Sequence, residues 1–205
     1  EMRRQANYDP LTQLANRGLF MGRLAQALSV ESSGGVLALL RVARLAEVNQ
    51  PGSGGSHHAV VLIEFDQLRA VGASAGLDAL DELTKTLADT VKASAGNDSC
   101  VGIYRDDVFS VLLPHHAASA ANRVAQNLCR KLTDFTFPYR EHVFRIGVAV
   151  GVLDFDAGQL STDEVLRRAD AACLAAGAGG RNRVQRYEPG NEDLRTEELR
   201  LQWVG

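Results

Sequence analysis

The chain has 205 residues, 45% of them hydrophobic and 23% charged, with a formal net charge of -3. This is the balance of one ordinary globular domain with a real core. It excludes the strongly basic face on which nucleic-acid or membrane-surface binding depends. No run approaches the ~18 apolar residues of a membrane helix and no signal peptide is visible. A cytoplasmic location is therefore expected, including as the cytoplasmic part of a membrane-anchored protein. Cys100, Cys129 and Cys173 are odd in number, widely spaced and set among apolar neighbours. They read as small buried hydrophobes rather than a disulfide framework or zinc site.

Glu1 to Gln5 reads as the end of an incoming helix. From Arg17 to Leu28, Leu19, Phe20, Leu24, Ala27 and Leu28 recur at three- and four-residue steps, which predicts an amphipathic helix with Asn16 as its N-cap. Ser32-Ser33-Gly34-Gly35 breaks the chain, and Val36 to Val42 is a short strand-like run. Arg44 to Asn49 fits a short helix, and residues 51–56 form a Pro/Gly/Ser linker. Ala59 to Phe65 is a second strand-like run, rich in β-branched residues. Leu77 to Val91 has helical spacing. Val101 to Tyr104 and Val108 to Leu113 flank Arg105-Asp106-Asp107 as a hairpin. Ala117 to Leu132 is predicted helical, Val143 to Leu153 extended, and Thr162 to Ala176 helical with Asp163 and Glu164 in its favourable first turn. Leu199, Leu201 and Trp203 mark an outgoing helix. Strands alternating with helices, plus one hairpin, predict an α/β (α+β) fold with a mixed sheet flanked by helices.

Several blocks together resemble the GGDEF family of diguanylate cyclases. Residues 8–17, Tyr-Asp-Pro-Leu-Thr-Gln-Leu-Ala-Asn-Arg, are similar to the family's D-x-L-T-G-L-x-N-R opening. Arg168-Ala169-Asp170-Ala171-Ala172 through Gly180-Arg181-Asn182-Arg183-Val184 resembles its A-D-x-A-L-Y-x-A-K-x-x-G-R-N-R close. Ile146 to Leu153 fits the strand S-I-G-V-A. Gly72 to Gly76 with Leu80 echoes G-H-x-x-G-D-x-x-L, and Tyr104 to Pro114 sits where the signature hairpin belongs. The resemblance spans about residues 6–187 and implies a nucleotidyl-cyclase-like fold. It divides the chain into an incoming linker (1–15), a degenerate GGDEF domain (16–187) and an outgoing linker toward an EAL-type domain (188–205).

The family strand L-x-D-x-D-x-F-K has two placements. Leu39 to Asn49 fits it at the right distance from Asn16, while Leu62 to Arg69 fits it and keeps its acidic character. The first placement is preferred, with the second run then lying in or beyond an insertion.

The resemblance implies a reaction in which two facing domains each hold one GTP and divalent metal assists attack of a 3′-hydroxyl on an α-phosphate. The hairpin glycines that would admit nucleotide are here Arg105 and Asp106, and Asp106 would repel a triphosphate. Asp107 keeps one metal-ligating carboxylate position, while Val108 replaces the next, ahead of Phe109. The strand carboxylate corresponds to Arg41 in the preferred placement. Gly177 stands where a phosphate-contacting Lys is expected, although Arg181 persists. For guanine, Asn49 is retained but Leu77 replaces an Asp. The inhibitory R-x-x-D falls on Gly96-Asn97-Asp98-Ser99 and is absent, so no cyclic-di-GMP is expected there.

With catalysis of this kind resting on metal and positioned charge, no catalytic residues, no resident metal and no cofactor are expected. Mg²⁺ would enter only with GTP, Asp107 being its weak candidate. The expected role is a catalytically inactive regulatory domain of cyclic-di-GMP signalling that restrains or activates an adjacent EAL-type domain, with a homodimer compatible with the family. The alternatives are a GTP-binding allosteric module without turnover, built on Asn49, Asp107 and Arg181, or residual cyclase activity. Two features read more simply than a ligand site. The pairs His57-His58 and His115-His116 diverge on extended backbone, and the glycines at 177, 179 and 180 stop a helix rather than cradle phosphate.

Overall fold

The computed structural model describes residues 7–29 and 57–188. Its elements in order are α1 (Arg17–Leu28), β1 (His57–Phe65), α2 (Leu68–Ala75), α3 (Leu77–Ala95), β2 (Cys100–Arg105), β3 (Val108–Pro114) and α4 (Ala118–Thr133). Then follow β4 (Thr136–Tyr139), β5 (His142–Arg145), β6 (Val148–Asp156), α5 (Thr162–Ala178) and β7 (Arg183–Arg186). A five-stranded mixed sheet runs β2-β3-β1-β6-β7, with β4-β5 a separate ribbon. β1 is antiparallel to β3 and β6, and β6 is parallel to β7.

β1 is central because its run is apolar without alternation. Residues 58–63 are all buried, as expected of a strand covered on both faces. Val61, Ile63 and Phe65 point into one cluster with Leu83 and Leu87 of α3 and Ala125 and Leu128 of α4. Val60 and Leu62 point into the other, with Phe20 and Leu24 of α1 and Val165 and Ala169 of α5. The result is three layers: α2, α3 and α4 on one face, α1 and α5 on the other. Gly151 on β6 makes the second packing possible. A Cβ there would lie 2.4 Å from the Cys173 backbone nitrogen and 2.5 Å from the Ala169 carbonyl oxygen, so only glycine lets α5 ride this close to the sheet.

The opening motif folds onto the β2 edge. Ile103 donates its amide to the Ala15 carbonyl at 2.9 Å, and Gly102 lacks the Cβ that would come within 3.0 Å of that oxygen. Asn16 caps α1 as predicted, its Oδ1 accepting the Leu19 amide at 3.0 Å. The hairpin also forms as predicted.

Two expectations need correction, and three elements went unread. The strand predicted over 143–153 is two strands, β5 and β6, separated at Ile146 and Gly147, where Arg145 and Gly147 interrupt the apolar run. The segments forming α2, β4 and β7 carried too short a pattern to be read as elements. The strand placement is also reversed. The strand beside the hairpin is β1, with Glu64 directly opposite Val108 of β3; the strand carboxylate position therefore falls on Glu64, not Arg41. Residues 36–42, Arg41, Asn49 and Trp203 lie outside the described residues. Among the described residues no helix is long and apolar enough to cross a membrane.

Candidate functional site

The β2–β3 hairpin brings the degenerate signature to one end of the sheet. Asp106 and Asp107 form its turn, and the Phe65 amide donates to the Asp107 carbonyl at 2.9 Å. Val108 and Phe109 are fully buried on opposite faces, Val108 in the α1/α5 cluster and Phe109 against the ring of Phe65 at 4.9 Å. Val108 is thus a core residue and offers nothing to a ligand. Asp106 is exposed and Asp107 half-buried.

Arg105 keeps 42% of its side chain exposed but turns its guanidinium onto α5. Its Nη2 lies 3.1 Å from Asp170 Oδ1, and its Nη1 donates to Oδ2 at 3.3 Å. The guanidinium thus hydrogen-bonds one carboxylate oxygen through Nη1 and meets the other through Nη2 as an ion-pair contact, a charge-assisted interaction stronger than a neutral hydrogen bond. Asp170 sits on the inner side of α5 with its side chain only 4% exposed. Burial works against the charge on Arg105, but Asp170 outweighs it and holds its pKa above the ordinary value. The same guanidinium lies 5.3 Å from the centroid of Tyr104, and Arg17 lies 5.3 Å from the same ring. Both are within cation–π range.

A second pair stands beside the first. Just after β1, Asp66 meets Arg181 at 3.0 Å. Arg181 and Asn182 both take left-handed backbone, with φ of 60° and 49°. That turn lets Asn182 Oδ1 accept the Val148 amide at 3.0 Å, which fixes the loop between α5 and β7. Glu64 lies between the pairs. Burial pushes its carboxyl above the usual range and Asp107 adds to this, while Arg105 and Arg181 pull it back.

The end of the sheet therefore gathers Glu64, Asp66, Asp107 and Asp170 with Arg105 and Arg181. Glu64, Asp66 and Asp170 escaped attention as site residues in the sequence. The L-I-E-F-D run was the available signal for the first two. Asp170 stood in the closing A-D motif, but its pairing carried no signal, since its partner is 65 residues away.

A divalent ion does not fit this arrangement. Arg105 already occupies both oxygens of Asp170, and the next hairpin position is the buried Val108. Among the described residues no three His, Cys, Asp or Glu side chains gather to hold a metal. Elsewhere the site is thin. A Cβ on Gly177 would meet nothing nearer than Ala149 at 3.8 Å, so the α5 end has room for a Lys it does not carry. Leu77 opens α3 with 74% exposure. At residues 96–99 the Ser99 hydroxyl closes on the Gly96 carbonyl at 2.6 Å, with no guanidinium in the segment.

The opposite end of β1 holds the histidines. His57 and His58 diverge as expected: His57 pairs through Nδ1 with Asp156, while His58 is 3% exposed. His58 Nδ1 accepts the His115 amide at 3.3 Å, and its ring stacks on Phe155 at 5.6 Å and approaches His115 at 5.2 Å. Its Nε2 is buried without a hydrogen-bond partner. The α5 end is also as expected, the Gly179 amide closing on the Ala175 carbonyl at 3.0 Å. Cys129 and Cys173 are buried free thiols, and burial pushes Cys173 up to about 12.

Residues 43–183 match the family described as "Diguanylate cyclase, GGDEF domain". The chain is 31% identical over 184 residues to the probable diguanylate cyclase DgcE of Escherichia coli K12, covering 90% of this chain and 15% of that protein. It is 21% identical over 204 residues to the cyclic di-GMP phosphodiesterase PdeB of Shewanella oneidensis, covering 100% of this chain and 21% of PdeB. The chain thus spans about a fifth or less of either relative. Its fold is similar to the coiled coil and GGDEF domain of DgcB from Caulobacter crescentus, solved with c-di-GMP. That match has a TM-score of 0.73 and 23% identity, and covers 90% of this chain and 87% of the other.

Proposed function

The chain belongs to the GGDEF domain family, and from that premise we propose that it is a non-catalytic regulatory domain of cyclic-di-GMP signalling. It acts by contact with a neighbouring domain, of which an EAL-type domain reached through residues 188–205 is the best candidate. One observation carries the reading. Two of the four carboxylates at the site are ion-paired with the chain's own guanidiniums, Arg105 with Asp170 and Arg181 with Asp66. Phosphoryl transfer needs metal and positioned charge, and the signature position that could add a carboxylate is the buried Val108. The missing glycines at 105 and 106 and the missing side chain at 177 weigh the same way.

A second reading gains from Glu64. The strand carboxylate is retained beside Asp107 and Arg181, which favours GTP held without turnover more than Arg41 would. Calorimetric titration with GTP and Mg²⁺, alongside an assay for cyclic-di-GMP formation, separates the two. The non-catalytic contact role expects silence in both. Binding without product, abolished by Asp107→Ala, would replace it with the allosteric GTP module. Product formation would sink both readings.

A further inference from the structure

We propose that Arg105 is a built-in counter-ion that locks the signature hairpin onto α5 and closes the acid cluster to divalent ions. The inference deepens the non-catalytic reading and rests on it, but is tested without nucleotide. Three observations converge on Arg105. Its two nitrogens take both oxygens of Asp170, at 3.1 and 3.3 Å. Asp170 is set deep between Ala169 and Ala171, so its charge needs a partner that water cannot supply. The guanidinium is also held against the Tyr104 ring, which Arg17 of α1 approaches as well.

Arg105 is therefore fixed by α5 through charge and by its own strand through the ring. A guanidinium cannot lose its proton near neutral pH, so the lock is constitutive. It leaves Glu64 and Asp107 facing a cation that is part of the chain. A metal ion seeking Asp170 would have to displace a cation whose effective concentration is set by covalent attachment.

The test is thermal unfolding of the whole chain with and without 5 mM Mn²⁺, for wild type, Arg105→Ala and Arg105→Lys. Wild type and Arg105→Lys, which both keep a cation in place, should not respond to Mn²⁺. Arg105→Ala should melt lower without metal and gain about 2–4 °C with Mn²⁺, as expected for a site with a Kd near ~1 mM. Should Arg105→Ala fail to fold, Arg105→Gln gives the same reading, because it keeps a hydrogen bond to Asp170 without the charge. A Mn²⁺ response in wild type overturns the proposal. So does a neutral variant that is silent toward Mn²⁺.

Discussion

The two ends of β1 meet burial of polar groups in opposite ways. At the hairpin end, a carboxylate on α5 is buried as a charge and answered by the Arg105 guanidinium. At the other end, His58 is buried as a neutral ring, one nitrogen accepting a backbone amide and the other left without a partner. A buried charge requires a counter-charge wherever the sequence can supply one. A buried base can instead give up its proton. The first end is therefore tied to the identity of one residue, Arg105, and the second to pH.

Gly151 gives the largest effect, because it joins the ends by letting α5 lie on β6. Gly151→Val puts side-chain atoms where Cys173 and Ala169 backbone already stand. Helix and sheet must separate, at a cost of about 3 kcal/mol or more, and Asp170 moves away from Arg105 with the helix. Thermal melts should show a Tm lower by roughly 10 °C or a chain that does not fold. An unchanged Tm would show that α5 does not depend on this contact.

The histidine end predicts a smaller, pH-dependent effect. Burial lowers the His58 pKa below 6.5 and His115 lowers it further, while Asp156 raises it and His57 lowers it again. The unfolded chain then takes up a proton near pH 6.5 that the folded chain refuses. Stability is full above that pH and is lost as pH falls through it toward the folded value. Protonation of Nδ1 would also end its acceptance of the His115 amide. His58→Asn keeps an acceptor near that position and does not titrate. Tm measured from pH 8 to pH 5 should fall more steeply for wild type than for His58→Asn, whereas parallel curves would remove His58 as the source.

The contrast also marks what the sequence could reveal. Helices α1, α3, α4 and α5 announced themselves by spacing, and the hairpin by three polar residues between apolar runs. Both ends of β1 were harder. Two apolar runs, 36–42 and 59–65, carry the same pattern, and only pairing with β3 and β6 shows which one seats a carboxylate beside the hairpin. Periodicity placed Asp170 on a helix but could not say that its face is the buried one, nor that Arg105 lies opposite. The His57-His58 pair read correctly as divergent, but His115 takes left-handed backbone with a φ of 57° instead of the extended form expected, and its meeting with His58 comes from the pairing of β1 with β3. Local pattern encodes elements, whereas contacts across the sheet depend on how the strands are ordered.

The smallest effect should come from Arg181, and it separates the two ion pairs of the hairpin end. The two guanidiniums are alike, Arg105 42% and Arg181 43% exposed, but Asp66 keeps 25% of its side chain exposed against 4% for Asp170. Water can therefore take over when Arg181 is removed, and pairs of this kind contribute about 0.2–1 kcal/mol. Arg181→Ala should lower Tm by no more than about 2–3 °C, and 0.5 M salt should shrink the difference, since exposed charges are screened. Arg105→Ala strands a carboxylate that water barely reaches, so its loss should be larger and should survive the salt. Equal losses for the two variants would mean that Asp170 is better solvated than its place on α5 implies, and the distinction between a lock and a surface pair would fall.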